Sequence, residues 1–272
     1  MKIFSDETLL QSPIKSSMNY AWSAMRNNWI GTLWAALIFV VIMVASAIPL
    51  IGLIASVVQG ILFYSLGYWI VDRIKSSDSI AGFAEKIQTD GVGAMLTEKL
   101  APATGFYVGF MIFSLLMSFM TLAILWATGG FSAITLTMQQ STAQMTPEQM
   151  QLFYAQILSA STPALAFMLI SALFFGYIWP LVYGYALLQK SFGDAFNAVF
   201  MLFSPRFWRA AFTGKYFVTV TLWTLVVLGV GLATGICMAV IFLIPLGILL
   251  LMWLIYFSAT LSAATYNFSE GI

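Results

Sequence analysis

All eleven lysine and arginine residues of this 272-residue chain fall into three short stretches, with long uncharged runs between them. Lys2, Lys15 and Arg26 precede the first run. Arg73, Lys75, Lys86 and Lys99 divide the second apolar segment from the third, and Lys190, Arg206, Arg209 and Lys215 divide the fourth from the fifth. Loops rich in Lys and Arg are retained on the cytoplasmic side of a membrane, whereas loops poor in them are translocated. If the chain crosses six times, all three basic stretches lie on one face and both termini are cytoplasmic.

The uncharged runs set the number of crossings. Residues 27–71 carry no charge, and as one helix at about 1.5 Å per residue such a run reaches roughly 65 Å, about twice the hydrocarbon thickness of a bilayer. It has to fold back. The reversal is expected at Ile48-Pro49-Leu50-Ile51-Gly52, where Pro49 ends a helix and Gly52 tolerates a tight turn. Ile244-Pro245-Leu246-Gly247 repeats the signature inside the uncharged run 216–268, so Pro245 and Gly247 mark a second hairpin. The spans are therefore expected at 30–48, 51–71, 102–128, 163–188, 216–243 and 246–268 of one membrane domain covering 1–272. Pro180 lies inside the fourth and predicts a kink, its freed carbonyl satisfied by neighbours.

Between the spans the pattern changes to amphipathic. Over 12–28, Ser12 is a natural N-cap and Pro13 suits the first turn. Ile14, Met18, Ala21, Trp22, Met25 and Trp29 share one face, and Lys15, Asn19, Ser23 and Arg26 the other, the pattern of a helix lying in the interface. Residues 191–213 look similar, with Phe192, Ala195, Phe196 and Val199 as an apolar stripe and Ser204-Pro205 restarting a helix that carries Phe207 and Trp208. Trp22, Arg26 and Trp29, and Phe207, Trp208 and Arg209, are thus the expected interfacial anchors, rings at headgroup depth with cations beside anionic lipid. The polar loop 72–100 contains a short amphipathic piece of Ile80, Phe83, Ala84 and Ile87. The segment 131–161 has no Lys or Arg and is expected outside; Thr146-Pro147-Glu148-Gln149 matches a capping box and starts an external amphipathic helix over 147–160. Surface helix, span, Ile-Pro-Leu turn and span occur twice, a possible parallel internal repeat in which Asn19, Trp22 and Trp29 align with Asn197, Phe200 and Phe207.

Composition agrees and narrows function. Charged residues make up 8% against about 25% in soluble domains, with 61% hydrophobic residues and a mean hydropathy of +0.94. A net charge of +1 offers no footprint for nucleic acid. With no histidine, Ser-His-Asp triads, His-ligated metals and His proton relays are absent. None of the ten acids falls in an expected span, which argues against a proton-coupled pump. Cys237 is the single cysteine and forms no intrachain disulfide, and the first residues lack the apolar core of a removable leader.

Three weaker features remain. Gln59, Tyr64, Ser65, Tyr107, Ser114, Ser118, Tyr177, Tyr183 and Tyr185 offer uncharged polar groups within or beside spans, either lining a path or bonding helix to helix. Asp72, Asp78 and Asp90, interleaved with Arg73, Lys75 and Lys86, read as a charge-balanced loop or as the acids of a lipid-headgroup enzyme. Gly105-x-x-x-Gly109 and Gly231-x-x-x-Gly235 permit close helix approach within the bundle or between copies, the intramolecular use being favoured.

Tyr20-Ala21-Trp22 on a short helix, a span, then Ile48-Pro49-Leu50-Ile51-Gly52 and a span ending at Gly67 and Arg73 together resemble the small polytopic bacterial inner-membrane proteins of the YciC-like kind. The resemblance implies a bacterial inner-membrane location and carries over no functional residues. The expectation is an all-α polytopic protein of six transmembrane helices plus interfacial helices, with no catalytic, cofactor-binding or metal-ligating residues. It is expected to act non-enzymatically as a scaffold, accessory subunit or lipid organiser, with membrane lipids as contacts and a membrane-protein partner or a second copy as candidates beside them. A passive transporter or channel for a small neutral or apolar solute is the alternative, and a lipid-headgroup enzyme the third.

Overall fold

The computed structural model describes residue 4 and residues 7–129 and 146–269. The chain is all-α, with twelve α-helices and no strand among the described residues. They are α1 (Glu7–Gln11), α2 (Pro13–Asn27), α3 (Trp29–Ala45), α4 (Ile51–Lys75), α5 (Ile80–Ile87), α6 (Val92–Thr97), α7 (Leu100–Ala127), α8 (Pro147–Ala186), α9 (Phe192–Ala198), α10 (Pro205–Ala211), α11 (Gly214–Ala239) and α12 (Ile244–Ser269). Short 3-10 turns at Val199–Phe203 and Ile241–Leu243 lead into α10 and α12. Five helical segments are long and apolar enough to cross a membrane, or six if α2 and α3 count as one broken span. The part of the external segment covering 130–145 lies outside the described residues.

Contacts divide the chain into two compact units, residues 1–110 with 178–272, and residues 111–177. The first holds the extensive core. There α2 meets α3 at 93°, because Asn28 leaves helical geometry at φ −124° and its Oδ1 accepts the Gly31 N–H at 3.1 Å, capping the new helix. The second unit pairs the later part of α7 with the earlier part of α8, where Phe113 meets Phe175 edge-on at 4.9 Å and Thr128 Oγ1 donates to the Ala160 carbonyl at 3.0 Å.

Helix α2 presents different faces from those the periodicity predicts. Ser16, Ser17, Tyr20, Ala21, Ser23 and Ala24 are buried, so a stripe of small residues and one tyrosine packs against α12 and α5. Tyr20 meets Phe83 of α5 edge-on at 5.2 Å. Ser23, expected on the polar face, is among them. Trp22, at 63% exposed, projects away from the protein. Hydrophobicity alone assigned one apolar face; small side chains made the second, because they let backbones approach.

Both hairpins differ in detail from expectation. Between α3 and α4 it is Leu50, not glycine, that takes the left-handed backbone conformation, at φ +67°. Gly52 already belongs to the first turn of α4 and is buried; a Cβ there would strike the Ser46 carbonyl oxygen. Its role is close approach, not dihedral freedom. In the second hairpin, the chain turns through Ile241–Leu243, and Pro245 sits in the first turn of α12, where its missing N–H is tolerated. Gly247 is buried, with the Met238 Sδ at 3.1 Å from where a Cβ would stand.

The separate external helix over 147–160 and the fourth span from 163 form one 40-residue helix, α8. The start at Pro147 agrees with the capping signature, but Thr162-Pro163 does not interrupt the helix. Thr162 Oγ1 donates to the Leu158 carbonyl at 2.6 Å. A proline removes one backbone donor, and in apolar surroundings the remaining bonds have no water to exchange with, so the helix continues. Residues 191–213 form α9 and α10, the second restarting at Pro205 as expected, with a 3-10 turn between them that was not.

Candidate functional site

The polar end of α4 carries the densest chemistry. Arg73 lies one turn beyond Trp69, and the chain returns through α5 and α6 to place Asp90 and Glu98 against it. Arg73 Nε donates to Asp90 Oδ2 at 2.7 Å and Nη2 to Glu98 Oε2 at 2.6 Å. Trp69 Nε1–H donates to the same Asp90 oxygen at 2.9 Å. Lys99 Nζ bridges Asp72 at 3.0 Å and Glu98 at 3.3 Å. Asn28 Nδ2 donates to the Asp90 carbonyl at 3.0 Å, tying the α2–α3 bend to the same loop. The side chains of Arg73 and Asp90 are only 20% and 15% exposed, so solvent screens the pair weakly.

Three acids thus surround two cations in a closed network that joins α4 to the start of α7. Asp78 stands exposed outside it. Lys75 lies within electrostatic reach of Asp72, Lys99 and Lys190, which brings the basic loop after α8 alongside. Among the described residues no three acids or thiols are grouped to hold a metal ion. The arrangement can lock helix ends together and hold charge at a boundary; it does not present free carboxylates to a substrate.

A second concentration lies deeper in the same unit. Tyr64 of α4 meets Phe106 of α7 edge-on at 4.9 Å and Tyr183 of α8 at 5.6 Å. Tyr183 also stacks with Phe106 at 5.6 Å and with Trp179 at 6.2 Å. The Tyr183 hydroxyl occupies the position that a Cβ on Gly67 would take, and the Ser262 carbonyl of α12 does the same at Gly184. Two glycines therefore let α4, α8 and α12 close on one another. The hydroxyls of Tyr68, Tyr183, Ser65 and Ser262, on these three helices, are buried without a hydrogen-bond partner. On the α3 side, Thr32 Oγ1 and Tyr256 OH bond at 3.1 Å.

Of the polar residues singled out in the spans, Tyr64, Tyr107 and Tyr183 come together, with Tyr64 and Tyr107 6.3 Å apart, and Ser65 is buried beside Tyr64 in sequence. Tyr185 packs on Tyr266 at 5.0 Å. Ser114 and Ser118 belong to the other unit.

The expected anchors divide. Trp22 and Trp29 are 63% and 61% exposed, and Arg26 and Arg209 are exposed with Trp208 half-buried. Phe207 is the exception at 2% exposed, packed edge-on to Trp208 at 5.3 Å. It is a core residue, not a lipid anchor. Trp29 and Phe207, aligned as repeat equivalents, therefore have opposite environments.

The two glycine motifs separate as well. A Cβ on Gly105 would strike the Phe192 carbonyl oxygen, and one on Gly109 would approach that of Phe196 at 2.8 Å. Gly105 and Gly109 serve packing of α7 against α9. Gly231 and Gly235 have nothing within 4 Å.

Sequence patterning missed Glu98 as a partner of Arg73, and Lys99 and Asn28 as members of the network around it. Each lies far from it in the chain, and the only signal was a cluster of mixed charge between two spans. No protein family, no curated protein and no solved structure matches this chain.

Proposed function

We propose that this chain is a non-enzymatic integral membrane protein that acts by interaction, as a scaffold, an accessory subunit or an organiser of lipid. We place it in a bacterial inner membrane with both termini cytoplasmic, following the basic stretches and the resemblance described above. The observation that carries the proposal is α11. It is long and apolar enough to cross a membrane, yet only 6% of its most apolar window is buried within the chain, and Gly231 and Gly235 face open space. A spanning helix with an open small-residue stripe is suited to meeting another helix or lipid.

Photo-crosslinking from position 232 of α11 in cells tests this. A discrete protein adduct identifies a partner or second copy, and lipid adducts alone select the lipid-organising form. Absence of any adduct above a control placed at the buried position 264 of α12 rejects the proposal.

A second reading is a passive route for a small neutral or apolar solute. The observation favouring it is that α4, α8 and α12 each carry a buried hydroxyl without a hydrogen-bond partner. Its test is solute flux into liposomes, wild type against Tyr183→Phe; equal flux at the protein-free rate removes it. A headgroup enzyme working through Asp72, Asp78 and Asp90 has less support, since Arg73 and Lys99 engage Asp72 and Asp90 and Asp78 stands apart.

A further inference from the structure

Three helix ends bring lysines into one corner of the larger unit. The Tyr183 hydroxyl of α8 fills the place of a Cβ on Gly67 of α4; Lys75 lies about two turns beyond that contact along α4, and Lys190 about the same length of chain beyond Tyr183. Gly105 of α7 meets the Phe192 carbonyl just after Lys190, and Lys99, just before α7, reaches Asp72 of α4 at 3.0 Å. Lys75 accordingly feels both Lys99 and Lys190. These cations are not equally committed. Lys99 is held by Asp72 and by Glu98 at 3.3 Å, whereas neither Lys75 nor Lys190 makes an ion pair or a side-chain hydrogen bond among the described residues. Asp72, the one acid within reach of Lys75, is already shared by Lys99 and Arg73. Asp194, the acid nearest Lys190 in sequence, turns back to accept from Ser191 Oγ at 2.6 Å. Lys75 is half-buried. A partly desolvated ammonium beside other cations is costly unless an anion joins it. The C-terminal dipole of α4 eases that cost but supplies no full counter-charge.

We propose that Lys75 and Lys190 clamp one phosphate group at the membrane boundary. Position selects the anion. Both α4 and α8 contain a segment long and apolar enough to cross a membrane, and the two lysines stand at or just past their last turns, the depth at which lipid phosphates lie. Ammonium groups form charge-assisted hydrogen bonds to phosphate oxygens, and each cation near an anionic membrane surface adds to the attraction. An anionic phospholipid headgroup and a free phosphate share this chemistry, so the occupant is defined by the phosphate itself. Lys99 shapes the field without joining the clamp, since its ammonium is engaged. The site uses no residue of α11 and does not rest on the reading given to that helix above.

The test uses the full chain, delipidated in detergent, and native mass spectrometry with phosphatidylglycerol and phosphatidylcholine of equal chain length. Wild type is expected to retain one phosphatidylglycerol in preference. Lys75→Gln or Lys190→Gln lowers that preference about fivefold, and the two together about thirtyfold. Arg206→Gln removes an exposed cation from another element and should leave the preference unchanged. Millimolar inorganic phosphate separates the two sources. If it displaces the lipid and raises the melting temperature of lipid-free wild type but not of the double variant, the phosphate comes from solution and the clamp stands. If it does neither while lipid retention depends on the lysines, the membrane supplies the phosphate. Because neither lysine has a partner within the chain, lipid-free Lys75→Gln is expected to melt no lower than wild type; a clear loss shows Lys75 bound into the fold and overturns the proposal. Equal lipid retention by wild type and the double variant, with no response to phosphate, also overturns it, as does an effect of Arg206→Gln as large as that of Lys75→Gln.

Discussion

The side-chain amide of Asn28 donates to the backbone carbonyl of Asp90 at 3.0 Å, across 62 positions of sequence. The other end of the same amide caps α3 through Gly31 N–H at 3.1 Å, and Asn28 is buried at the 93° bend between α2 and α3. One residue therefore fixes both the direction in which the first span leaves the surface helix and the loop that closes on Arg73. Asn28→Ala removes the cap and leaves a carbonyl unpaired, a combined loss of about 2–4 kcal/mol. Asn28→Asp keeps the acceptor for Gly31 but loses the donor to Asp90 and is expected to fall between. Thermal unfolding in detergent reads both; an alanine variant that melts like wild type rejects the role.

The Arg73 network makes a similar forecast with a different control. Arg73→Gln deprives Asp90 of its cation while Trp69 still donates to it, and leaves Glu98 to Lys99. With the pair mostly shielded, the expected loss is about 1.5–3 kcal/mol. Arg73→Lys retains charge but cannot hold Asp90 and Glu98 with separate nitrogens of one planar group, so it should recover only part of the loss. Full recovery by lysine would show that charge alone matters. The comparison is made by denaturant unfolding at low and high salt, where a small salt effect is expected for wild type.

How much of this was legible beforehand depends on the range of the interaction. Pro147 and Pro205 stand at the first positions of helices, as a first-turn proline predicts, and Phe83 and Ile87 are the buried positions of α5, as their spacing predicts. These are effects within one or two turns. Tyr20 and Ser17, by contrast, are buried on α2 because α12 and α5 lie there, and Phe207 is buried because its neighbours enclose it. In a chain with apolar residues nearly everywhere, hydrophobicity stops distinguishing lipid from protein as the contact. Side-chain size then decides, and that signal depends on which helix arrives opposite.

Glycine substitutions test that statement directly. Gly184→Ala and Gly105→Ala each place a Cβ against a backbone carbonyl, of Ser262 and Phe192 respectively, which cannot rotate away. Each is expected to cost about 1–3 kcal/mol through displaced helices. Gly231→Ala and Gly235→Ala meet nothing within 4 Å inside a helix and should raise monomer stability by about 0.5–1 kcal/mol. If all four alanines behave alike, close helix approach is not what those positions contribute.

Side of the membrane can be read by cysteine labelling, but not at every position that topology nominates. Ser77 is buried at the end of α4, its Oγ donating to the Arg73 carbonyl at 2.7 Å, so a cysteine there would be shielded on either side. Asp78 and Glu148 are exposed. Asp78→Cys is expected to resist an impermeant reagent in intact cells and react after lysis, whereas Glu148→Cys reacts in both. The native thiol, Cys237, is buried and supplies little background. Reaction at 78 with protection at 148 inverts the orientation.

Leu50 makes the sharpest local test. It holds φ +67° without being glycine and is 89% exposed, so its side chain contributes almost no packing within the chain to offset the conformation. A left-handed backbone costs a branched side chain about 1–2 kcal/mol, while glycine adopts it freely but loses about 0.5–1 kcal/mol through greater freedom when unfolded. The first effect is the larger, so Leu50→Gly should raise the unfolding midpoint slightly. Leu50→Val, branched at Cβ, should lower it. A glycine variant clearly less stable than wild type would mean that the leucine side chain is held by something beyond the chain itself, with lipid at the hairpin tip the first contact to examine.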